Sequence, residues 1–241
     1  MVSIPKVTIT LIVTSLFAFY TCNSTDDQGS MQPTEGYPFL TDIEEIRDIL
    51  KHRGIDTIFF SPGEFVADIG GGNGYIEAML SMFHDSITFY IQDIDSSVCN
   101  YDAIKEVVAF YQDVNGKPFT NQFIAVNGTD TETKLPKNTF DKIFMMWTYS
   151  YLKYPKVFIL DVRNDLRDDG LFYVINPAVE ESEYTNTLRE KYGWNVSPLE
   201  KQINDIINCG FELRQIRKNY EAGEYNQPII MVFSKTLKAA N

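Results

Sequence analysis

The sequence contains few of the residue types that bind metals or nucleic acids. Its 241 residues include three cysteines and two histidines, and no CxxC or Cys/His spacing typical of a zinc site occurs. Three cysteines also cannot build a disulfide framework. Acidic residues outnumber basic ones by 33 to 21. Because nucleic-acid binding depends on clustered Lys and Arg, this excess predicts that nucleic acid is not a partner.

The remaining composition predicts one ordinary folded domain. The chain is 44% hydrophobic and 14% aromatic, which is enough to form a full core. Strand-like and helix-like segments alternate, and such alternation predicts an α/β fold with a doubly wound, mostly parallel sheet. The predicted strands are 65–70, 87–93, 122–128, 140–147, 171–177, 211–220 and 227–235, and the predicted helices are 41–52, 75–83, 96–114, 156–166 and 198–210. Since a short link joins the last two strands, we expect the seventh strand to be antiparallel, and we place it beside the fifth strand.

The N-terminus has the pattern of an export signal. Residues 1–21 carry one charge, Lys6, followed by the apolar run Val7 to Tyr20, which is too short to span a membrane. Cys22 follows at once, and residues 22–36 form a polar linker. The folded domain is therefore predicted over residues 37–241.

This order of segments resembles a bacterial lipoprotein signal, in which the cysteine becomes the lipidated first residue. The resemblance implies lipidation at Cys22 and a membrane-surface location. The chain departs from the usual motif, since the bulky Phe19 and Tyr20 precede Thr21 and Cys22. Two alternatives remain open: a secretory signal in which Cys22 is incidental, and a cytoplasmic protein that starts at Met31.

A glycine-rich stretch follows the first predicted strand. It reads Asp68-x-Gly70-x-Gly72-x-Gly74 and leads directly into a predicted helix. Bare backbone at such a junction allows a polar ligand to approach closely. The dinucleotide fingerprint G-x-G-x-x-G is incomplete because Tyr75 stands at its third glycine, and no P-loop Gly-Lys-Ser/Thr follows.

Several landmarks resemble class I S-adenosylmethionine-dependent methyltransferases. VADIGGGNGY is similar to the first motif of that family, and Asp93 ends the second strand, where the family has an acid. NGTDTETKLPKNTFDKIF, LRDDGLFYVINP and INCGFEL resemble its later landmarks in the same order, so that the likeness covers about residues 41–236. The family implies a Rossmann-like, seven-stranded sheet with S-adenosyl-L-methionine as cofactor.

The resemblance also implies roles for individual residues. The backbone of Gly70, Gly72 and Gly74 is expected beneath the methionine and ribose parts of the cofactor, and Asp68 is expected to hold the loop and the amino-acid end. Asp93 is expected to accept both ribose hydroxyls. Asp130, or alternatively Thr129, is expected to meet the adenine amine, although Asp130 also fits a solvated loop residue.

The fourth strand ends differently from many members of the family. MMWTYSY stands where an acid, a His pair or Asn-Pro-Pro-Tyr is common, so no catalytic residue is assigned. Tyr149 and Tyr151 fit either of two descriptions: aromatic rings flanking the sulfonium, or ordinary core and rim residues.

Two functions from different classes are consistent with these residues. The first is a methyltransferase that acts on an unidentified small-molecule acceptor, selected by residues 179–197. The second is an exported, non-catalytic binding protein of the same fold, which the export signal favours because the methyl donor is made in the cytosol. Asn127-Gly128-Thr129 is also a glycosylation sequon within the expected pocket loop, and its modification would conflict with cofactor binding.

Overall fold

The structure is a computed structural model that describes residues 39–177, 186, 190, 197–218 and 228–236. The described residues belong to a compact unit formed by residues 39–241. The predicted signal segment, Cys22, the linker, and most of residues 179–197 lie outside the described residues.

The described strands form one seven-stranded sheet, in the order β3-β2-β1-β4-β5-β7-β6. Strand β7 runs antiparallel to both β5 and β6, whereas the β1–β2, β1–β4, β2–β3 and β4–β5 pairs are parallel. The predicted insertion of the last strand beside the fifth is therefore confirmed. The strands are β1 Phe65–Ile69, β2 Thr88–Asp93, β3 Gln122–Asn127, β4 Phe140–Met146, β5 Leu166–Pro177, β6 Phe211–Lys218 and β7 Pro228–Lys235.

The helices lie close to the predicted positions, but three of them are shorter, and the fifth ends at Ile207 rather than at the predicted residue 210. In our numbering they are α1 Ile43–His52, α2 Tyr75–Leu80, α3 Tyr101–Asn115, α4 Pro155–Asp165 and α5 Leu199–Ile207. Helix α3 was predicted to begin at residue 96, but Asn100 caps it by accepting a hydrogen bond from the Ala103 amide. The preceding residues form a separate turn closed by Asp95, whose side chain accepts from the Ser97 amide. Helix α2 ends at Leu80, before the predicted residue 83.

Helix α1 begins where the sequence predicts. The Asp42 side chain accepts hydrogen bonds from the Glu44 and Glu45 amides and thereby caps the first turn. Ile46 and Leu50 are buried, whereas Ile43, in the first turn of the helix, is 44% exposed. The buried face of α1 therefore begins at Ile46.

The core lies on both faces of the sheet, as expected for a doubly wound fold. One cluster joins α1, α2 and α3 to strand residues such as Val66 and Phe144, and a second joins α4 and α5 to residues such as Ala67 and Ile69. Because side chains alternate along a strand, Asp68 lies on the same face as Val66. Asp68 therefore faces the side of the sheet that carries α2.

The cysteines and helices of the described region add two facts. Cys99 and Cys209 are free and buried. No helix among the described residues has the length and hydrophobicity needed to cross a membrane.

Candidate functional site

The candidate site lies where the strand order changes direction, between β1 and β4. These parallel strands are neighbours, so the segments that follow them meet at the carboxyl edge of the sheet. The contact is close: a Cβ on Gly70 would overlap the Thr148 side chain. Gly70 also has φ +76°, a conformation that favours glycine. The glycine loop, residues 70–74, therefore packs directly against the segment that leaves β4.

The glycine loop is held against the end of β2. The amides of Gly70 and Gly71 both donate to the Gln92 carbonyl, at 2.7 and 3.1 Å. Gly74 packs on Ile91 so tightly that a Cβ would come within 2.6 Å of its side chain. Gly72 differs, because a Cβ there would meet no atom within 4 Å. The loop is thus packed on one side and open over Gly72.

Asp93 joins this loop to the end of β2. Its Oδ2 accepts from the Gly72 amide at 3.2 Å, and its Oδ1 accepts from the Asp95 amide at 3.0 Å. The side chain is half-buried, and a carboxylate has about four acceptor positions, so further hydroxyl donors can bind. Asp93 therefore stands beside the open part of the glycine loop, where the sequence predicted it.

Asp68 and Glu77 form a buried pair of acids beneath the loop. Asp68 is 3% exposed and Glu77 is 1% exposed. The two carboxyl groups interact directly, and each shifts the pKa of the other. Burial raises the pKa of Glu77 to about 6, and burial together with the nearby Glu77 raises the pKa of Asp68 well above its ordinary value. Asp68 Oδ1 and both carboxyl oxygens of Glu77 are buried and accept no hydrogen bond from another donor.

Asp130 lies in a turn just after β3 and is exposed. Its carboxylate forms an ion pair with Lys153 at 3.2 Å. Thr129 closes the turn instead, since its hydroxyl accepts from the amides of Thr131 and Glu132. The structure therefore places Asp130 at the rim, near the end of the strand beside β2, and its contact with adenine remains a prediction. Asn127, in the sequon, donates to the Cys99 carbonyl at 2.9 Å.

In the segment after β4, one tyrosine is buried and the other is exposed. Tyr149 is completely buried in the core cluster that contains Phe158, and its hydroxyl lies 3.4 Å from Asp205. Tyr151 is 57% exposed. The core-and-rim interpretation therefore describes this pair, and Tyr149 does not line the glycine loop. Between β4 and Thr148, Trp147 has φ +62°, and its indole N–H is buried without an acceptor.

The two histidines lie at or beyond the C-terminal ends of helices. His52 ends α1, and His84 follows α2 close to the start of β2, at the amino edge of the sheet. Burial lowers the pKa of His84, which packs on the Phe60 ring. No group of three or more metal-binding side chains occurs among the described residues.

Sequence reasoning missed three contributors to this site: Glu77, Trp147 and Thr148. For Glu77 a signal was present, since an acid stands among apolar residues in the short helix YIEAML. The Thr148 contact and the Trp147 backbone conformation depend on how two loops pack, and no local pattern predicts them.

No protein-family model matches this sequence, and no curated protein matches it in sequence. Solved structures do resemble it. An S-adenosylmethionine-dependent methyltransferase from Aquifex aeolicus is 15% identical, with a TM-score of 0.55 over 81% of this chain and 99% of the other. One from Methanosarcina mazei is 13% identical, with a TM-score of 0.55 over 75% of this chain and 96% of the other.

A third similar structure is phosphoethanolamine N-methyltransferase 2 from Haemonchus contortus, in complex with phosphomonomethylethanolamine and S-adenosylhomocysteine. It is 17% identical, with a TM-score of 0.53 over 73% of this chain and 38% of the other. At these identities the likeness shows the fold. The sheet order and the position of β7 agree with it.

Proposed function

We propose that this chain is a methyltransferase that binds S-adenosyl-L-methionine and transfers its methyl group to a small-molecule acceptor. One observation carries the proposal: at the switch point of the sheet, the Asp93 carboxylate accepts a hydrogen bond from the Gly72 amide, and the space above Gly72 is open. Open α/β sheets bind their ligands at this point, outside the carboxyl ends of the strands. The fold shared with known methyltransferases supports the same reading.

The residues fit this cofactor chemically. The Gly72 backbone is open, so that a ligand can approach it without meeting a side chain, and Asp93 offers anionic acceptors to a diol. Ile94, the next residue, is 59% exposed, so its apolar side chain can pack against the flat face of a nucleoside. Asp68 Oδ1 is a buried acceptor without a donor, which suits an ammonium group.

Such a reaction requires little acid–base catalysis by the protein. A bound S-adenosylmethionine supplies a methyl group on a positively charged sulfur, ready for in-line attack by an acceptor nucleophile. The contribution of the chain is then to position the acceptor and exclude water. The segment after β4 suits this task, because Thr148 packs on Gly70 and thereby fixes one wall against the loop.

The acceptor is expected to be a small molecule that already carries an available lone pair. The excess of acidic over basic residues, 33 to 21, disfavours a nucleic-acid acceptor. The Haemonchus contortus neighbour was solved with phosphomonomethylethanolamine, a small molecule of that kind. The segment 179–197, which we expect to select the acceptor, lies mostly outside the described residues.

Calorimetric titration with S-adenosylmethionine and with S-adenosylhomocysteine tests cofactor binding. Incubation with a panel of amines, thiols and carboxylic acids, followed by detection of S-adenosylhomocysteine, tests transfer. Binding with turnover supports the proposal. Binding without turnover on any acceptor would favour the non-catalytic binding protein, and absence of binding would refute both.

A further inference from the structure

The buried acids beneath the glycine loop present an unusual arrangement. Two interacting carboxyl groups, both almost fully excluded from water, repel each other when both are ionised, and a proton between them removes the repulsion. Neither Glu77 oxygen accepts a hydrogen bond from any other group. One shared proton is therefore the simplest way to satisfy the pair.

Nearby charged groups shift the pKa values of the two acids in opposite directions. Arg53 is the cation whose field lowers the pKa of both acids, and its guanidinium lies over the Tyr75 ring at 5.5 Å. Asp93, at the end of β2, acts in the opposite direction on Asp68. The Cys99 thiol, before α3, also senses Glu77, but burial raises its pKa to about 11, so that it stays neutral.

Asp68 lies directly under the loop. A Cβ on Gly71 would stand 3.1 Å from Asp68 Oδ2, while Oδ1 is buried without a donor. A cation that reaches Oδ1 would stabilise the ionised form of the pair. The shared proton would then be displaced into solvent.

We propose that Glu77 is a positioning residue that holds Asp68 through a single shared proton, and that this proton is released when the ammonium group of the cofactor binds at Asp68. The inference rests on the proposed function, since it requires a ligand with an amino-acid end. The covalent balance is simple: one O–H bond breaks, and the proton passes to the buffer.

The test is calorimetry of the full chain with S-adenosylhomocysteine from pH 5.5 to 8, in two buffers of different ionisation enthalpy. The wild type is expected to release up to one proton, and its affinity should rise by up to about tenfold per pH unit where the pair is protonated. In Glu77→Gln the amide N–H still donates to Asp68, but no shared proton remains to be lost. This variant should bind with a flatter pH profile and should exceed the wild type at low pH.

Two further variants make the test specific. Glu106→Gln, the same change on the exposed face of α3, should behave as the wild type. Asp68→Asn should also lose proton release, but with weaker binding at every pH, because the charged acceptor itself is gone. This second variant keeps the proposal testable if Glu77→Gln does not fold.

The outcomes separate the two claims. Proton release that disappears in Glu77→Gln while binding persists supports the proposal. Binding with equal proton release in the wild type and Glu77→Gln, or with none in the wild type, overturns this inference and leaves the proposed function standing. No binding of the product at any pH overturns both.

Discussion

Replacement of Asp93 is the most direct test of the cofactor site. Asp93 already accepts from the Gly72 and Asp95 amides, and its remaining acceptor positions face the open side of the loop. If both ribose hydroxyls bind there, Asp93→Ala removes two hydrogen bonds to a charged acceptor. The loss should be about 2–4 kcal/mol of binding free energy, or roughly 30- to 1000-fold in affinity.

The same substitution should leave the domain folded. It frees two backbone N–H groups at a half-buried position that water can reach, which costs about 1 kcal/mol of unfolding free energy. Asp93→Asn keeps one oxygen acceptor for Gly72 and removes the charge, so its affinity for S-adenosylmethionine should lie between those of the wild type and Asp93→Ala. Thermal melting of each variant, measured beside the calorimetry, separates lost binding from lost structure.

Asp95→Ala is the matched control. Asp95 stands two residues further on, and its side chain accepts from the Ser97 amide and hydroxyl without touching the glycine loop. Its removal should change affinity by about threefold or less, or under 0.7 kcal/mol. Equal weakening by Asp93→Ala and Asp95→Ala, or no weakening by Asp93→Ala, would refute the assignment of Asp93.

Three further predictions concern separate parts of the chain. Gly72→Ala should abolish cofactor binding in calorimetry, because the added methyl group occupies the open space above the loop. The matched control is Gly116→Ala, after α3, where φ is also positive and the space equally open. This control should bind the cofactor and lose only about 1 kcal/mol of stability. Lys137→Met should cost about 2 kcal/mol of unfolding free energy at pH 7.5, because it leaves the buried Asp165 carboxylate without its cation. The loss should shrink at pH 5 in denaturant titrations, since Asp165, whose pKa burial raises to about 6, then takes up a proton; an equal loss at both pH values would contradict this. Mass spectrometry of the mature N-terminus should find a lipidated Cys22, and an intact Met1, a start at Met31 or an unmodified Cys22 would exclude the anchor.

The order of strands and helices was predictable because it depends on local pattern. Apolar runs bounded by turn residues mark the strands, and the short link before β7 permits only an antiparallel return beside β6. The position of β7 beside β5 was expected from the resemblance to the methyltransferase family. Asp93 was placed correctly because the carboxyl end of β2 has one position in the fold. Predicting these features does not require knowing which distant side chains contact each other.

The missed features depend on contacts between distant segments. Glu77 is conspicuous in the sequence as an acid among apolar residues, but its pairing with Asp68 depends on how α2 packs on the sheet. The sequence MMWTYSY likewise does not tell which tyrosine turns inward, because the positive φ of Trp147 redirects the chain after β4. Helix α3 starts late for a more local reason: Asn100 competes as a cap against the earlier Ser and Asp positions.

Backbone strain and unsatisfied polar atoms occur together beside the glycine loop. Four described non-glycine residues have positive φ; Ser86, Lys134 and Asn138 are exposed, whereas Trp147, after β4, is partly buried. The unpartnered carboxyl oxygens of Asp68 and Glu77 lie beneath the neighbouring loop. Each such feature costs on the order of 1–3 kcal/mol, and stability alone would favour an apolar residue at Glu77 and a relaxed turn at Trp147. Their occurrence side by side at the switch point, where open α/β sheets bind ligands, is the arrangement expected of a site shaped by binding.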